Sequence, residues 1–391
     1  MISRNLRHLR LYLAVARTGS LTHAADACHV SQPAVTQAIG KLEREAGGAI
    51  FDRTRQGFFP TARGDVLANR VQRAFDLLDP ALTDVSPRLR LTATTAQLQA
   101  LVAVHETENF TLAARRLGLA QPTVHRAISQ LEQEAGRRLF ERTSFGMIAG
   151  RATRALVQTV MLAFRELDQL EADLAELDGG EAGRIVIGAL PLARSVILPL
   201  TLVRFRRARP RHPVLVIDGL YNELLGGLRR GDIDVIVGAL REPAPIGDIV
   251  QEPLFGDHLT ILAGNHHPLA GRNDVTLDEL RACAWVVPRQ GTPARDRFDA
   301  VFADGGLPES IIEAGSILLM REVLGISDHL GCISSAQAEA ELSRGLVSEI
   351  RVKADWPARP IGLTYRASWA PTKAQDLMMT LLRESAASRS L

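Results

Sequence analysis

Ser31-Gln-Pro-Ala-Val-Thr-Gln-Ala-Ile-Gly-Lys-Leu-Glu43 returns 89 residues later as Ala120-Gln-Pro-Thr-Val-His-Arg-Ala-Ile-Ser-Gln-Leu-Glu132. The match is gapless and extends both ways. Thr22 falls on Thr111, Ala24-Ala25 on Ala113-Ala114, Glu45-Ala46-Gly47 on Glu134-Ala135-Gly136, Phe51 on Phe140 and Arg53-Thr54 on Arg142-Thr143. Self-similarity at a fixed offset means one structural unit used twice, and two copies fall short of the three or so that a stacked solenoid needs. Duplicated domains are the better account.

Each copy reads as short helices divided by tight turns. In the first, Leu9, Leu13 and Ala16 follow i, i+4, i+7, after which Gly19-Ser20 stops one helix and caps the next. Thr22 to Cys28 is a short Ala-rich helix, and Ser31 offers a cap to a third helix that runs to about Glu45. Pro33 suits the first turn of that helix, where a missing N–H costs nothing. Val35, Ile39 and Leu42 form its buried stripe, which leaves Gln32, Thr36, Gln37 and Lys41 on other faces. An Ala-rich helix, a short turn and a polar-faced helix is the layout of a helix-turn-helix. Such side chains at a helix N-terminus can donate and accept at base edges in a major groove. Gly57 and Pro60 mark a turn between short extended pieces, a wing that carries Arg53 and Arg55 beside a phosphate backbone. The competing reading is a three-helix interaction module whose polar face is incidental.

Charge favours the nucleic-acid reading. Residues 1–63 hold nine Lys/Arg against four Asp/Glu and residues 94–154 hold eight against five, whereas the whole chain carries only +2. Two basic blocks ahead of a mildly acidic remainder fit an anionic polymer as partner of the first part alone. Cys28, Cys283 and Cys332 are far apart and in no CxxC arrangement, so neither a disulfide framework nor a zinc site is expected. The start, Met1-Ile-Ser-Arg-Asn-Leu-Arg-His, lacks the apolar core of a signal peptide, and no run approaches a membrane span of about 18 residues. A cytoplasmic protein without membrane partner, metal or cofactor is expected.

After residue 178 the character changes to short apolar runs alternating with helical stretches. Arg184 to Leu190, Val214 to Asp218 and Ile233 to Gly238 read as buried parallel strands. Further strands are expected at Leu259–Ala263, Ala284–Val287, Ile311–Ala314, Gly331–Ser334 and Ile361–Tyr365. Such α/β sheets bind ligands beyond the carboxyl ends of their strands. Between the repeats and this half, Leu156, Val160, Ala163, Leu167, Leu170, Leu174 and Leu177 recur at steps of four and three among acidic residues, a heptad seam. It is expected to pair two chains, with a seam against the chain's own core as the alternative. A shorter counterpart, Leu67, Val71, Ala74 and Leu78, is broken by Pro80 and Pro87, so residues 80–93 read as a linker.

No GxSxG, Walker, HExxH or GxGxxG pattern is present, and no enzyme is expected. His266-His267 ahead of Pro268 reads as a solvated pair rather than a metal site. Cys283 and Cys332 lie in apolar runs and are expected to pack as small hydrophobes rather than to sense redox state.

Ser20-Leu-Thr-His-Ala-Ala, Ser31-Gln-Pro-Ala-Val-Thr-Gln-Ala-Ile, Leu42-Glu, Ala49-Ile-Phe-Asp-Arg and Thr61-Ala-Arg-Gly together resemble the N-terminal domain of LysR-type transcription regulators. The resemblance implies that Gln32, Pro33, Thr36 and Gln37 lie on a recognition helix and Arg53 and Arg55 on a wing. The second copy departs from it. Ala120 stands where Ser31 caps, a change expected to cost about 0.5 to 2 kcal/mol, and Ser144 replaces the second wing Arg. Gln121, Pro122, Thr123, His125, Arg126 and Arg142 remain its candidates for DNA contact. The first copy has the better chemistry and the second the better position. Either both read DNA, the preferred reading, or one has become a packing unit.

Gly231-Asp-Ile-Asp-Val-Ile-Val-Gly and Trp285-Val-Val-Pro-Arg-Gln-Gly-Thr-Pro resemble the effector-binding domain of the same family, similar in fold to two-lobed periplasmic solute-binding proteins. The resemblance implies a multi-domain fold. It has two all-α winged helix-turn-helix domains, at 1–64 and 94–153, a helix and linker at 65–93 and a dimerisation helix at 154–178. An α/β two-lobed effector domain follows at 183–391, with lobe I at 183–243 and 347–391 and lobe II at 244–346. Its cleft would be lined by Pro191, Leu192, Arg194, Ser195, Tyr221, Ala239, Leu240, Gly291, Thr292 and Ser316. Backbone N–H groups at Gly291-Thr292, with Arg194, would suit an anionic effector. The expected function is a sequence-specific DNA-binding regulator controlled by a small molecule that closes or reorients the lobes. Its expected partners are double-stranded DNA, the effector, further copies in a homodimer or homotetramer, and RNA polymerase as an added candidate. The alternative is a ligand-binding α/β module whose N-terminal repeats serve protein interaction.

Overall fold

The computed structural model describes residues 4–144, 146–352, 356 and 358–388. The outer ends of the expected first and last domains, residues 1–3 and 389–391, lie outside these. The chain divides into two compact units, one up to Arg184 with Arg229–Gly231, the other made of Ile185–Leu228 and Asp232 onward.

The first unit begins with α1 (Leu6–Thr18), α2 (Leu21–Ala27) and α3 (Gln32–Ala46), then the ribbon β1 (Phe51–Thr54) and β2 (Gly57–Pro60). Local chemistry sets these bounds. Asn5 caps α1 by accepting from the His8 amide, Gly19 ends it at φ 65°, and Ser20 caps α2. Gly47 ends α3 at φ 75°. The long α4 (Ala62–Val85) and the short α5 (Leu89–Thr92) follow. The pattern then recurs as α6 (Thr95–Thr107), α7 (Phe110–Leu117), α8 (Gln121–Ala135), β3 (Phe140–Thr143), β4 (Gly146–Ala149) and the long α9 (Arg151–Leu177). The two ribbons pair in matching register, Phe51 with Pro60 and Phe140 with Ala149.

Two sequence expectations change here. Residues 80–85 are not linker: α4 runs through Pro80. An interior proline costs about 3 kcal/mol, but Pro80 is exposed while Leu78 and Leu82 on either side are fully buried, so packing outweighs the lost hydrogen bond. The heptad seam of α9 packs within its own chain, the alternative to pairing two chains. It lies against α4, antiparallel, because partner numbers fall along α9 as they rise along α4: Arg63 meets Asp178, Arg70 meets Asp173, and Arg73 meets Glu166. Leu67, Val71, Ala74 and Leu78 of α4 and Leu156, Val160, Ala163 and Leu167 of α9 belong to one continuous core with both repeats.

The second unit holds two five-stranded sheets. Its elements in chain order are β5 (Ile185–Ala189), α10 (Pro191–Val196), α11 (Leu198–Ala208), β6 (Val214–Asp218), α12 (Tyr221–Arg230), β7 (Val235–Ala239), β8 (Ile249–Asp257) and β9 (Leu259–Ala263). There follow α13 (Leu277–Arg281), β10 (Ala284–Val287), α14 (Pro293–Val301), β11 (Ile311–Glu313), α15 (Ile317–Ile326), β12 (His329–Ser334), α16 (Ser335–Ser343), β13 (Ser348–Ile350), β14 (Arg359–Arg366) and α17 (Lys373–Ala387). One sheet runs β6-β5-β7-β14-β8 and the other β11-β10-β12-β9-β13. β5 is parallel to β6 and β7, and β10 to β11 and β12, whereas β14 and β9 run antiparallel to their neighbours. Strand β5 is buried on both faces. Ile185 and Ile187 enter one core and Val186 the other, which is why it reads as an unbroken apolar run.

The lobes are joined by two crossings. Because β8 belongs to the first sheet, the outgoing chain crosses after Asp257, beyond the residue 243 expected. It returns between Ile350 and Arg359, past 347. Residues 353–355 and 357 of that return lie outside the described residues. Asp257 and Arg359 are register partners at the crossings. The Arg359 guanidinium donates to the Asp257 carboxylate at 3.1 and 2.9 Å, and Ser334 Oγ donates to it at 2.7 Å.

Candidate nucleic-acid interface and effector cleft

In α3 the residues Val35, Ile39 and Leu42 are buried, while Gln32, Pro33, Thr36 and Gln37 are exposed and Lys41 is half-buried, paired with Glu45 at 3.7 Å. In α8 Val124, Ile128 and Leu131 are buried, and Gln121, Pro122, Thr123, His125 and Arg126 are exposed. Thr36 Oγ1 donates to the Gln32 carbonyl at 3.1 Å, so its hydroxyl oxygen is left to accept from a partner outside. His125 packs on the Phe110 ring at 5.2 Å and its Nδ1 lies 3.4 Å from Ser129 Oγ.

The capping expectation is corrected. Ser31 occupies the N-cap position of α3 with extended backbone, yet its side chain makes no cap hydrogen bond, and Ala120 holds the same position in α8. The Ser-to-Ala difference between copies therefore carries none of the capping cost assigned to it.

Each wing is tied back to its helices at one point. The Phe58 amide donates to the Gly19 carbonyl at 2.9 Å, and the Met147 amide to the Glu108 carbonyl at 2.8 Å. Gly57 and Gly146 precede those amides at φ 138° and 132°. A Cβ there would lie 2.6 and 2.7 Å from the same carbonyl oxygens, so both positions require glycine. Arg53, Arg55 and Arg142 are exposed on the ribbons. Arg53 is engaged by Glu43 at 3.2 Å and lies 5.8 Å from the Phe58 ring centre. In the second copy Glu132, the equivalent of Glu43, accepts the Leu139 and Phe140 amides at 2.8 and 3.3 Å instead. A groove lined by Gln121, His125, Arg138, Arg142, Thr143 and Ser144 separates helix and wing there.

The effector candidates are distributed less simply. Pro191, Arg194 and Ser195 are exposed at the start of the second unit's first helix, but Leu192 is buried in the core beneath and cannot line a cleft. Arg194 is held by Asp218 at 2.9 Å, so its charge is already met within the chain. Leu240 is buried, Ala239 half-buried. Gly291 is open, at φ 72° with nothing within 4 Å of an added Cβ. Thr292 caps α14 by accepting from the Arg295 amide and donates to the Arg289 carbonyl at 2.7 Å, and Ser316 caps α15. Glu313 accepts from the Gln290 amide at 3.3 Å and pairs with Arg295 at 2.7 Å, so a carboxylate of the protein itself already sits at that loop.

Tyr221 has a partner the sequence reading missed. The Arg241 guanidinium lies 4.5 Å from the centre of the Tyr221 ring. Tyr221 Oη and Arg241 Nη1 are both shielded from water and make no hydrogen bond among the described residues. Burial pushes the Arg241 guanidinium down and the Tyr221 phenol up. The Asp296 carboxylate, in the first turn of the helix that Thr292 caps, opposes that shift by favouring the charged guanidinium. A cation and a phenol held this way can take an anion with an acceptor oxygen. Position immediately after Leu240, beyond the carboxyl end of β7, is the signal that could have found Arg241.

Other expectations resolve as packing. His267 is buried, its Nδ1 accepting from the Leu269 amide at 3.1 Å, so it is no solvated histidine. Cys332 is fully buried, which pushes its thiol up to about 12, and Cys283 Sγ donates to the Glu279 carbonyl at 3.3 Å. No group of His, Cys, Asp and Glu among the described residues could hold a metal ion, and no helix there is long and apolar enough to cross a membrane.

The family model described as LysR substrate binding domain matches residues 178–387. That of the bacterial regulatory helix-turn-helix protein, lysR family, matches residues 6–65 and 95–155. HTH-type transcriptional regulator GalR of Pseudomonas putida is 34% identical over 385 residues, 97% of this chain and 97% of its own. HTH-type transcriptional regulator PcaQ of Agrobacterium fabrum is 27% identical over 292 residues, 74% of this chain and 94% of its own. Two solved structures share the fold. A full-length OxyR variant from Pseudomonas aeruginosa has a TM-score of 0.54 at 21% identity, covering 74% of this chain and 97% of that one. CbnR has a TM-score of 0.50 at 22% identity, covering 74% and 98%.

Proposed function

The chain belongs to the LysR family of transcription regulators, with DNA-binding helix-turn-helix and effector-binding domains, and on that premise we propose that both N-terminal copies are winged helix-turn-helix readers of one duplex. The observation that carries this is the equivalence of α3 and α8. The same turn of each helix is exposed and polar, over the same buried stripe, beside a wing anchored by the same glycine geometry. Gln32, Thr36 and Gln37 in one copy, and Gln121, Thr123, His125 and Arg126 in the other, meet base edges, and Arg55 and Arg142 meet phosphates.

The effector is a small anion, and Tyr221 with Arg241 is its anchor. Binding there draws the loop at Gly291 and Thr292 toward lobe I and shifts the lobes' equilibrium. The protein acts in the cytoplasm as a homo-oligomer, without catalysis of its own. Agreement with GalR over nearly the full length of both chains supports an added reader as part of the design, since PcaQ matches only 74% of this chain while using 94% of itself.

A gel-shift titration of the full-length protein on a random duplex pool, at rising salt, tests the reading. Binding that weakens steeply with salt is expected. No binding at low salt, or binding indifferent to salt, leaves the module with protein-interaction repeats in its place.

A further inference from the structure

Both readers sit on one core, and the two helices that join them are not interchangeable. The seam residues of α4 and α9 correspond at the repeat offset: Leu67 with Leu156, Val71 with Val160, Ala74 with Ala163, Phe75 with Phe164, Leu78 with Leu167. All are buried. Antiparallel packing of corresponding residues relates the two copies by a pseudo-two-fold axis across the seam, the arrangement that lets two readers face one side of a duplex.

The polar residues in the same seam break that correspondence. Arg70 on α4 is 5% exposed and donates to Glu166 at 2.8 Å, Gln169 at 2.8 Å and Asp173 at 2.7 Å, and Arg73 donates to Glu166 at 3.1 Å. The equivalents of Arg70 and Arg73 on α9 are Thr159 and Leu162, and the equivalents of Glu166 and Gln169 on α4 are Leu77 and Pro80. An α4·α4 pair between chains would face its two arginines with Leu77 and Pro80 where Glu166 and Gln169 stand, and with Asp84, the equivalent of Asp173, as the one acid left of two. An α9·α9 pair would bury Glu166 against Thr159 and Leu162. The first leaves two arginines to share one acid in place of two, the second leaves Glu166 without an arginine, and α4 with α9 satisfies both sides. The link from Ser86 to Ala93 is itself ordered, its helix packed on α8 with Leu89 fully buried, and the Arg10 guanidinium bonds Asp79 and the Arg90 carbonyl.

We propose that one chain is a complete two-headed reader. Its copies pair with each other rather than with a second chain, and they hold their recognition helices at one fixed spacing for a duplex with two unlike half-sites. This rests on the proposed DNA reading of both copies and adds to it that the pairing is in cis and between unlike halves. The spacing is a whole number of helical turns of roughly 10.5 base pairs, as for any rigid pair of helix-turn-helix units on one face.

The test is selection of bound duplexes from a randomised pool by the full-length protein, followed by sequencing. Two different half-sites at a single spacing are expected. Gln32→Ala with Thr36→Ala then erases sequence information at one half-site only, and Gln121→Ala with His125→Ala at the other only. Co-expressing these two double variants leaves the paired site unrecovered, because each chain lacks one reader of its own pair. An inverted repeat of identical half-sites erased by a single pair of substitutions, a lone half-site, or recovery of the paired site in the co-expressed mixture overturns cis pairing while leaving the regulator reading intact. A wild-type protein that enriches no sequence overturns both.

Discussion

The Arg70 guanidinium, 5% exposed, donates to the Glu166 carboxylate at 2.8 Å across the seam between the two long helices of the N-terminal unit. Removing one partner of a buried ion pair strands the other in low dielectric at a cost of about 3 to 5 kcal/mol. Arg70→Met therefore lowers the unfolding free energy of the N-terminal unit by that amount, as read in a urea titration. A loss under about 1 kcal/mol would show that water reaches the cluster and that it does not select the pairing.

Gly57 and Gly146 anchor the wings, and each requires a conformation that L-residues rarely adopt together with space for no Cβ. Gly57→Ala costs of order 1 to 3 kcal/mol locally and frees the first wing. DNA affinity falls while binding of effector by the second unit is unchanged. The same substitution at Gly136, which also has positive φ but open surroundings, serves as the control with a milder effect. Equal DNA-binding defects in both variants would refute the anchoring role of the wing glycines.

The exposed faces of α3 and α8 are legible in sequence because they follow from helical period alone: Val35, Ile39 and Leu42 fix which side of α3 is inside, and the exposed side follows. What covers a seam is a different kind of fact. The spacing of Leu156 to Leu174 demands an apolar partner but does not say in which chain, and Pro80 conceals the length of the helix that supplies it. Local propensity marks Pro80 as a break, whereas full burial of Leu78 and Leu82 keeps α4 whole. Strand β8 escapes the sequence pattern for a related reason. It is an edge strand with Pro253 at an irregularity opposite Ile361 and Gly362, so its pattern is broken where its pairing is too. Arg241 escapes it because a lack of hydrogen-bond partners is a tertiary property, and no spacing encodes it.

Arg241→Met tests the anion anchor. The guanidinium leaves a shielded donor unsatisfied, offset by its contact with the Tyr221 ring, so its removal changes stability by less than about 1 kcal/mol. Thermal shifts produced by small carboxylates in the wild-type protein are lost in the variant, and the corresponding uncharged amides shift neither. Retention of carboxylate shifts by Arg241→Met would place the anion elsewhere.

Cys332 provides a check on the core of lobe II. Its thiol is fully buried and raised to about 12, so at pH 8 almost none is thiolate. Iodoacetamide leaves Cys332 unmodified in the folded protein and modifies it after denaturation, with peptide mass spectrometry as the readout. Modification of the folded protein at the rate of the unfolded one would show that lobe II opens freely.

The two wings differ in how free their arginines are, and salt dependence separates them. Each phosphate neutralised contributes about −0.9 to the slope of log K against log salt. Arg142 has no ion pair among the described residues, since Glu132 is occupied by backbone amides, whereas Arg53 is held by Glu43. Arg142→Ala therefore flattens the slope by about 0.9, and Arg53→Ala by less. Glu43→Gln releases Arg53 and steepens the slope, because a surface pair worth about 0 to 1 kcal/mol no longer competes with phosphate. Salt titrations of the three variants on one duplex decide it: equal flattening by Arg142→Ala and Arg53→Ala, with no response to Glu43→Gln, would mean that Glu43 does not restrain its wing when DNA is bound.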